Sequence, residues 1–200
     1  LFRLLEEEKV YRDDSVSFQD IVRLQTDTYS KTAHRLAGEW QTLLKKAGYQ
    51  SMAGELGRWD GFYDADSRGA LVFETITFYF WQMAVDAGVI SDTMAFKDWN
   101  YIGHHFSRDL EKALEADPDA LKDAIEKIDA HLDTYRVWGD VHRLKIQHPL
   151  GNAPLIGRFF QYADFPVSGS RSTLMKSNHG LENSPHHVTY GSQSRHIFLM

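Results

Sequence analysis

The spacing of apolar residues divides the chain into two parts that meet at Trp138. Before this residue, apolar positions recur every three or four residues, which predicts helices, and after it they alternate with polar positions, which predicts strands. The clearest helical face is formed by Tyr29, Ala33, Leu36, Ala37, Trp40, Leu43 and Leu44. Lys45, Lys46 and Gly48 follow it, and basic residues ahead of a glycine are typical of a helix C-terminus.

Further helices are predicted on both sides of this one. Ser17 and Asp20 are spaced as a weak capping box, so we expect a helix from about residue 18, and residues 1–8 resemble the end of another. Shorter helical patterns cover residues 51–59 and 107–115. Asp117 and Pro118 predict an N-cap with proline at the first helical position. The helix after them buries Leu121, Ala124, Ile125, Ile128 and Leu132.

An apolar block spans residues 71–87, and its length favours a buried helix over a strand. The five aromatic residues within it keep a strand open as an alternative. They are Phe73, Phe78, Tyr79, Phe80 and Trp81.

Period-two alternation from Val141 to Gln147 predicts a strand. Further strands are expected at residues 172–177, 187–189 and 197–199. The predicted fold class is therefore α+β, a helical layer followed by antiparallel strands. We expect a helical segment over residues 1–137 and a strand-rich segment over 138–200 that returns to a core sheet.

Composition excludes several functions. The net charge is −6, so a basic nucleic-acid footprint is absent, and there is no cysteine to form a disulfide or a thiolate site. No run reaches the roughly 18 apolar residues of a membrane span. The chain starts at Leu1 and stops inside an apolar run, and we expect it to be part of a longer polypeptide.

Ten histidines raise the question of a metal site. His104 and His105 are adjacent, as are His186 and His187, and no His-Glu-x-x-His motif occurs. On a regular strand His142 and His148 would lie about 20 Å apart. We expect structural or surface histidines and no metal ligand in this segment.

No sequence motif supports a nucleophilic serine either. A Ser-His hydrolase would use one of Ser168, Ser170, Ser172, Ser177, Ser192 or Ser194, but no Gly-x-Ser-x-Gly elbow is present, and turn-forming serines are expected. The acidic runs at residues 6–8 and 13–14 are typical of solvated faces. No single motif specifies a reaction.

Several segments taken together resemble the penicillin acylase family of N-terminal-nucleophile hydrolases. They occur in family order along the chain: Leu24-Gln-Thr-Asp27 with Ser30 and Ala33, Leu56-Gly-Arg-Trp-Asp-Gly61, Trp138-Gly139 with His142 and His148-Pro-Leu150, Phe165-Pro-Val167 with Gly169, and Gly191-Ser-Gln-Ser194.

The resemblance implies part of the β-chain of an αββα amide hydrolase. In that family a serine exposed by self-cleavage attacks the amide, with its own α-amine as base and an Asn side chain in the oxyanion hole. Leu1 has no nucleophilic side chain, so that serine, the Asn, an active-site Arg and the calcium ligands are all expected upstream of Leu1. Arg3 is not that Arg, so no catalytic or metal residue is carried over and the substrate-binding residues stay unknown.

The predicted function is therefore a segment of an acyl-amide hydrolase that is inactive alone, needs no cofactor of its own, and assembles with the rest of the β-chain and the α-chain of its precursor. β-Lactam side chains, acyl-homoserine lactones and lipopeptide acyl groups all remain open as substrates. The family implies a periplasmic or secreted location. A non-catalytic helical module, with an aromatic groove for a ligand or partner, remains the alternative.

Overall fold

Helices precede strands in this computed structural model, which describes residues 17–91, 99–180, 185–188, 190 and 191. Within these ranges the helices are α1 (Phe18–Gln25), α2 (Lys31–Lys46), α3 (Gln50–Leu56), α4 (Arg68–Asp86), α5 (Trp99–His104), α6 (Phe106–Ala116), α7 (Ala120–Thr134) and α8 (Trp138–Val141). The strands are β1 (His142–Gln147), β2 (Gln161–Pro166), β3 (Ser177–Asn178), β4 (His186–His187) and β5 (Tyr190–Gly191), with 3-10 turns at Pro149–Asn152 and Gly157–Phe160. The predicted α+β class is confirmed.

Helix α4 is the centre of the helical layer, where it packs against α2, α3, α6, α7 and α8. Twelve of its 19 residues are buried. Burial on every side explains why its sequence is apolar nearly all round rather than along one stripe. The helix predicted for this block is confirmed, and the alternative strand is wrong.

Side-chain caps fix the start of α1 and the turn that leads into α7. Asp20 N donates to Ser17 Oγ (3.2 Å) and Ser17 N donates to Asp20 Oδ2 (2.9 Å), so the predicted capping box at α1 is confirmed. The carboxylate of Asp117 accepts from the backbone N–H groups of Asp119 and Ala120. It caps the turn ahead of α7, which begins at Ala120 rather than at the proline.

The main sheet has the strand order β2-β1-β4 and is mixed. Strand β1 pairs with β2 in the expected antiparallel sense, and the register slips between Ile146 and Gln147. On its other side β1 pairs with β4 in parallel, which sets His142 opposite His186. Strands β3 and β5 form a second, antiparallel pair.

The strand predicted at 172–177 is corrected over most of its length. Residues 172–175 form turns, Lys176 forms an isolated bridge with Ser170, and of this range only Ser177 lies in a strand, β3. The turn is favoured because Thr173 Oγ1 accepts from Ser170 N (2.9 Å) and donates to Met175 O (2.7 Å). Strand β2 was not predicted at all. The strand expected at 187–189 is placed at His186–His187, and the helix end expected at 1–8 and the strand at 197–199 lie outside the described residues.

Exposed apolar side chains concentrate in one segment of the chain, whose strands and 3-10 turns contact one another. Seven of the eight large apolar residues that are exposed within the described ranges lie between positions 146 and 165. They are Ile146, Leu150, Leu155, Ile156, Phe159, Tyr162 and Phe165. We call these seven side chains the apolar face. Among the described residues, none of the helices combines the length and the hydropathy that crossing a bilayer requires.

Candidate functional site

Trp138 and Gly139 join the helical layer to the sheet. The backbone N–H groups of Trp138 and Gly139 donate to Ser67 O (3.0 Å) and Ala65 O (2.7 Å), so the start of α8 lies against the loop before α4. A Cβ on Gly139 would lie 2.5 Å from Pro166 Cβ and 2.9 Å from Ala65 O. Only glycine fits this approach, which explains the Trp-Gly pair in physical terms.

The indole of Trp138 is fully buried and connects two sets of rings. Its Nε1 donates to Gly169 O (3.0 Å), and its ring meets Tyr63 edge-on with centroids 5.5 Å apart. On its other side it stacks on His142, with centroids 4.6 Å apart and planes 18° apart. Tyr63 in turn contacts Trp59 at 5.2 Å. An aromatic chain therefore runs from the helical layer to β1.

Three buried histidines surround this end of Trp138. His142 on β1, His179 just after β3 and His186 on β4 are 0%, 3% and 5% exposed. Their ring centroids lie 4.8 to 5.2 Å apart. One ring nitrogen from each lies within 4.8 Å of the others. We call these three side chains the histidine cluster.

Hydrogen bonds determine the tautomers within the histidine cluster. Ser177 Oγ donates to Ser168 O (2.8 Å), so His142 Nε2, 3.0 Å from Ser177 Oγ, carries a proton and donates to it. His142 Nδ1 then accepts from His186 Nε2 (3.1 Å). His179 Nδ1 donates to Gly180 O (2.6 Å), which leaves the buried Nε2 with a lone pair and no partner among the described residues.

Burial keeps His142 and His179 uncharged. Desolvation first, and then the neighbouring His186 and Arg171, lower the pKa of His142 to about 3. The pKa of His179 is also lowered, first by burial and then by Arg171. Both rings are therefore neutral at physiological pH, the form in which imidazole binds metal ions.

A buried ion pair lies on the helical side of Trp138. Arg171 Nη2 donates to Glu74 Oε2 (3.0 Å), and Tyr63 OH donates to Glu74 Oε1 (2.7 Å). Burial, with the adjacent carboxylate second, raises the pKa of Tyr63, so its hydroxyl stays a donor. The Arg171 guanidinium also lies 4.7 Å from the centroid of the Trp99 ring. This pair ties α4 to the segment between β2 and β3.

The Ser177–His142 contact does not form an activated nucleophile. The imidazole donates to the hydroxyl instead of accepting its proton, and the serine proton goes to a backbone carbonyl. Both side chains are also buried, at 4% and 0% exposure. General-base activation needs the opposite direction of donation.

The other serines serve the backbone of their own region. Ser168 Oγ accepts from Ala65 N (2.9 Å), and Ser170 Oγ accepts from Ser172 N (3.1 Å). Such bonds are typical of turn-forming serines. Ser192 and Ser194 lie outside the described residues.

The structure brings together histidines that their spacing does not connect. His142, His179 and His186 converge because β1 pairs with β4 in parallel across 44 residues. The spacing of these three histidines along the sequence matches no metal-binding motif, so it did not indicate that they converge. His148, by contrast, is exposed and accepts from Leu150 N through Nδ1 (3.2 Å). His104 and His105 are exposed at the end of α5.

An open apolar groove of about 760 Å³ lies elsewhere, between α2 and α6. Leu43, Leu114 and Leu121 contribute apolar walls, while Arg35 and Lys46 contribute charge. A binding module would place its ligand or partner in this groove. Trp40 lines it but is only 1% exposed, so it offers little aromatic surface there.

The landmark residues Trp59 and Gly61 make close contacts in the loop between α3 and α4. Trp59 stacks on Phe73 with centroids 5.0 Å apart, and its Nε1 donates to Phe62 O (2.9 Å). Gly61 has φ +90°, and a Cβ there would lie 2.6 Å from the Tyr29 ring. These contacts fix the loop between α3 and α4, which contributes Trp59 and Tyr63 to the aromatic chain.

Comparison with known proteins identifies the class. A family model described as penicillin amidase matches residues 2–200. This description names a class of hydrolases. The chain belongs to the penicillin amidase family. A search of curated proteins gives no match.

Proposed function

We propose that these residues form a supporting segment of an acyl-amide hydrolase whose attacking serine lies in another part of the polypeptide. The observation that carries this proposal is the apolar face, seven large side chains exposed between positions 146 and 165. Leu155 is 94% and Phe159 68% exposed. Apolar surface of this kind is characteristic of a contact with another protein surface.

The strand arrangement supports the same proposal. Within the described residues β2 is an edge of the main sheet, with β1 on one side only. Tyr162 and Phe165 of β2 belong to the apolar face and are 66% and 42% exposed. An unpaired apolar edge favours addition of a further strand. We propose that the rest of the β-chain and the α-chain cover this edge and the apolar face.

The chemistry would follow the family scheme. An N-terminal serine hydroxyl attacks the amide carbonyl, while its own α-amine, which titrates near pH 8, takes the proton. The described residues contribute position rather than reactivity, because the Ser177 hydroxyl is buried and donates to a carbonyl. We propose a small acyl amide as substrate, a periplasmic or secreted location, and calcium ligands outside this segment.

Covalent labelling tests the position of the nucleophile. The intact enzyme is inactivated with a sulfonyl fluoride, which reacts with activated serines, and the labelled peptide is identified by mass spectrometry. We expect the label on an N-terminal serine that precedes Leu1 in the precursor. A stoichiometric label on a serine within residues 17–191 would overturn the proposal.

A binding module remains the second candidate, and the groove between α2 and α6 favours it. The coding sequence separates the two. A Gly-Ser junction roughly two to three hundred residues ahead of Leu1, about the length of one further large domain, supports the hydrolase. An unrelated domain there supports the module.

A further inference from the structure

The histidine cluster has the composition of a metal centre, and one of its nitrogen pairs has the spacing of one. Around a tetrahedral zinc ion with Zn–N bonds of about 2.0–2.1 Å, ligand nitrogens lie about 3.3 Å apart. His142 Nδ1 and His186 Nε2 are 3.1 Å apart. Imidazole centroids around such an ion would be about 5 Å apart by the same geometry, and those of the cluster are 4.8 to 5.2 Å apart.

The lone pair on His179 Nε2 is the second observation. This nitrogen is buried in a residue only 3% exposed, and it has no partner among the described residues. An unsatisfied buried acceptor is costly, and a bound ion is one way to satisfy it. The nitrogen also lies beside the other two rings.

The outer hydrogen bonds are those that metal-bound histidines make. A ligating imidazole usually donates its other N–H to a carbonyl or a similar acceptor, which fixes the ring. His179 Nδ1 donates to Gly180 O, and His142 Nε2 donates to Ser177 Oγ. Two of the three rings are therefore held with the remaining nitrogen available to the cluster.

We propose that His142, His179 and His186 bind one divalent transition-metal ion of the zinc type. In the bound form His186 binds through Nε2 and carries its proton on Nδ1. The nitrogens lie within 4.8 Å of one another, so a movement of up to about 1.5 Å brings all three to bonding distance. A water molecule or hydroxide completes the four ligands, as is usual for three-histidine sites.

The surroundings select the class of ion. Three imidazole nitrogens suit zinc, cobalt or copper, whereas calcium and magnesium require oxygen ligands. Arg171 is the nearby cation that lowers the pKa values of His142 and His179. Its charge is balanced by Glu74 at 3.0 Å, so the ion does not face an unpaired positive charge. The bound ion would join β1, β4 and the end of β3 beneath Trp138.

Metal binding to the intact enzyme tests the proposal. After treatment with a chelator, the enzyme is titrated with Zn²⁺ alone, and we expect one ion per chain. Substitution with Co²⁺ should give the intense visible absorption of a four-coordinate site. This spectrum requires no variant, so it does not depend on how a substituted cluster folds. Absence of a stoichiometric site, or the weak spectrum of octahedral Co²⁺, would overturn the proposal.

Matched variants locate the ion. His179→Phe removes the ligand nitrogen while filling the space, and it should weaken Zn²⁺ binding by at least about 100-fold, the upper range for loss of a supporting contact. His187→Ala changes the exposed neighbour of His186 on the same strand and should leave the affinity within about threefold. Equal binding by wild type and His179→Phe would assign the metal to surface histidines and reject the site.

Discussion

The buried ion pair between Arg171 and Glu74 gives the sharpest prediction for stability. The two side chains are 8% and 7% exposed and 3.0 Å apart. With an effective dielectric constant of about 20, their attraction is about 5.5 kcal/mol. Arg171→Met leaves the Glu74 charge buried with Tyr63 as its remaining hydrogen-bond donor. We expect this substitution to lower the free energy of unfolding by about 3–5 kcal/mol.

Urea unfolding followed by tryptophan fluorescence measures this loss. With a slope of about 2 kcal/mol per molar, the midpoint should fall by about 1.5–2.5 M. Adding Glu74→Gln removes the stranded charge and keeps an acceptor for Tyr63, so the double variant should recover about half of the loss or more.

A surface pair serves as the control. Arg143 and Asp164 are 2.6 Å apart but 27% and 46% exposed. Asp164→Asn removes the more exposed charge while Arg143 keeps its bonds to Gly139 O and Asp164 O, and it should cost no more than about 1 kcal/mol, because solvent screens the lost charge. The reasoning fails if Arg171→Met costs as little as Asp164→Asn, or if the double variant is less stable than the single one.

The remaining predictions concern the glycine under the sheet and the apolar face. Gly139→Ala should destabilise the protein by about 1–3 kcal/mol through overpacking. Gly38→Ala, on an exposed part of α2 with nothing within 4 Å of the added carbon, should stabilise it by about 0.5–1 kcal/mol; equal urea midpoints for the two would contradict the packing argument. Phe159→Asp should reduce recovery of the assembled enzyme in co-purification, whereas Phe18→Asp, also apolar and 43% exposed, should not. Unchanged assembly with Phe159→Asp would count against the proposed contact.

The helices were predictable because each has a local cause. The apolar face of α2 and the capping box formed by Ser17 and Asp20 can both be read within a few residues. Strand β2 was missed for a physical reason. Tyr162, Asp164 and Phe165 are all exposed, so burial does not alternate along the strand and leaves no period of two in the sequence.

The histidine cluster depends on pairing between distant segments. His142 and His186 become neighbours only through the parallel β1–β4 register, and residue spacing carries no record of such a contact. The strand predicted at 172–177 was wrong for residues 172–175 because Thr173 bonds the nearby backbone at Ser170 and Met175 instead. Side-chain bonds of this kind compete with extended structure. Two of the landmark residues, Gly61 and Gly139, have a physical cause, because a Cβ at either position would clash with its neighbours.

The strand order also affects how the protein is synthesised. Strand β4 follows β1 by 44 residues, and translation at about 5–20 residues per second supplies it roughly 2–9 s later. The helical layer precedes β1 in the chain, so it has time to fold on the ribosome before then. During this interval β1 has an open hydrogen-bonding edge beside Trp138. Translation slowed within residues 143–185 would therefore prolong exposure of this edge and favour aggregation of the nascent chain.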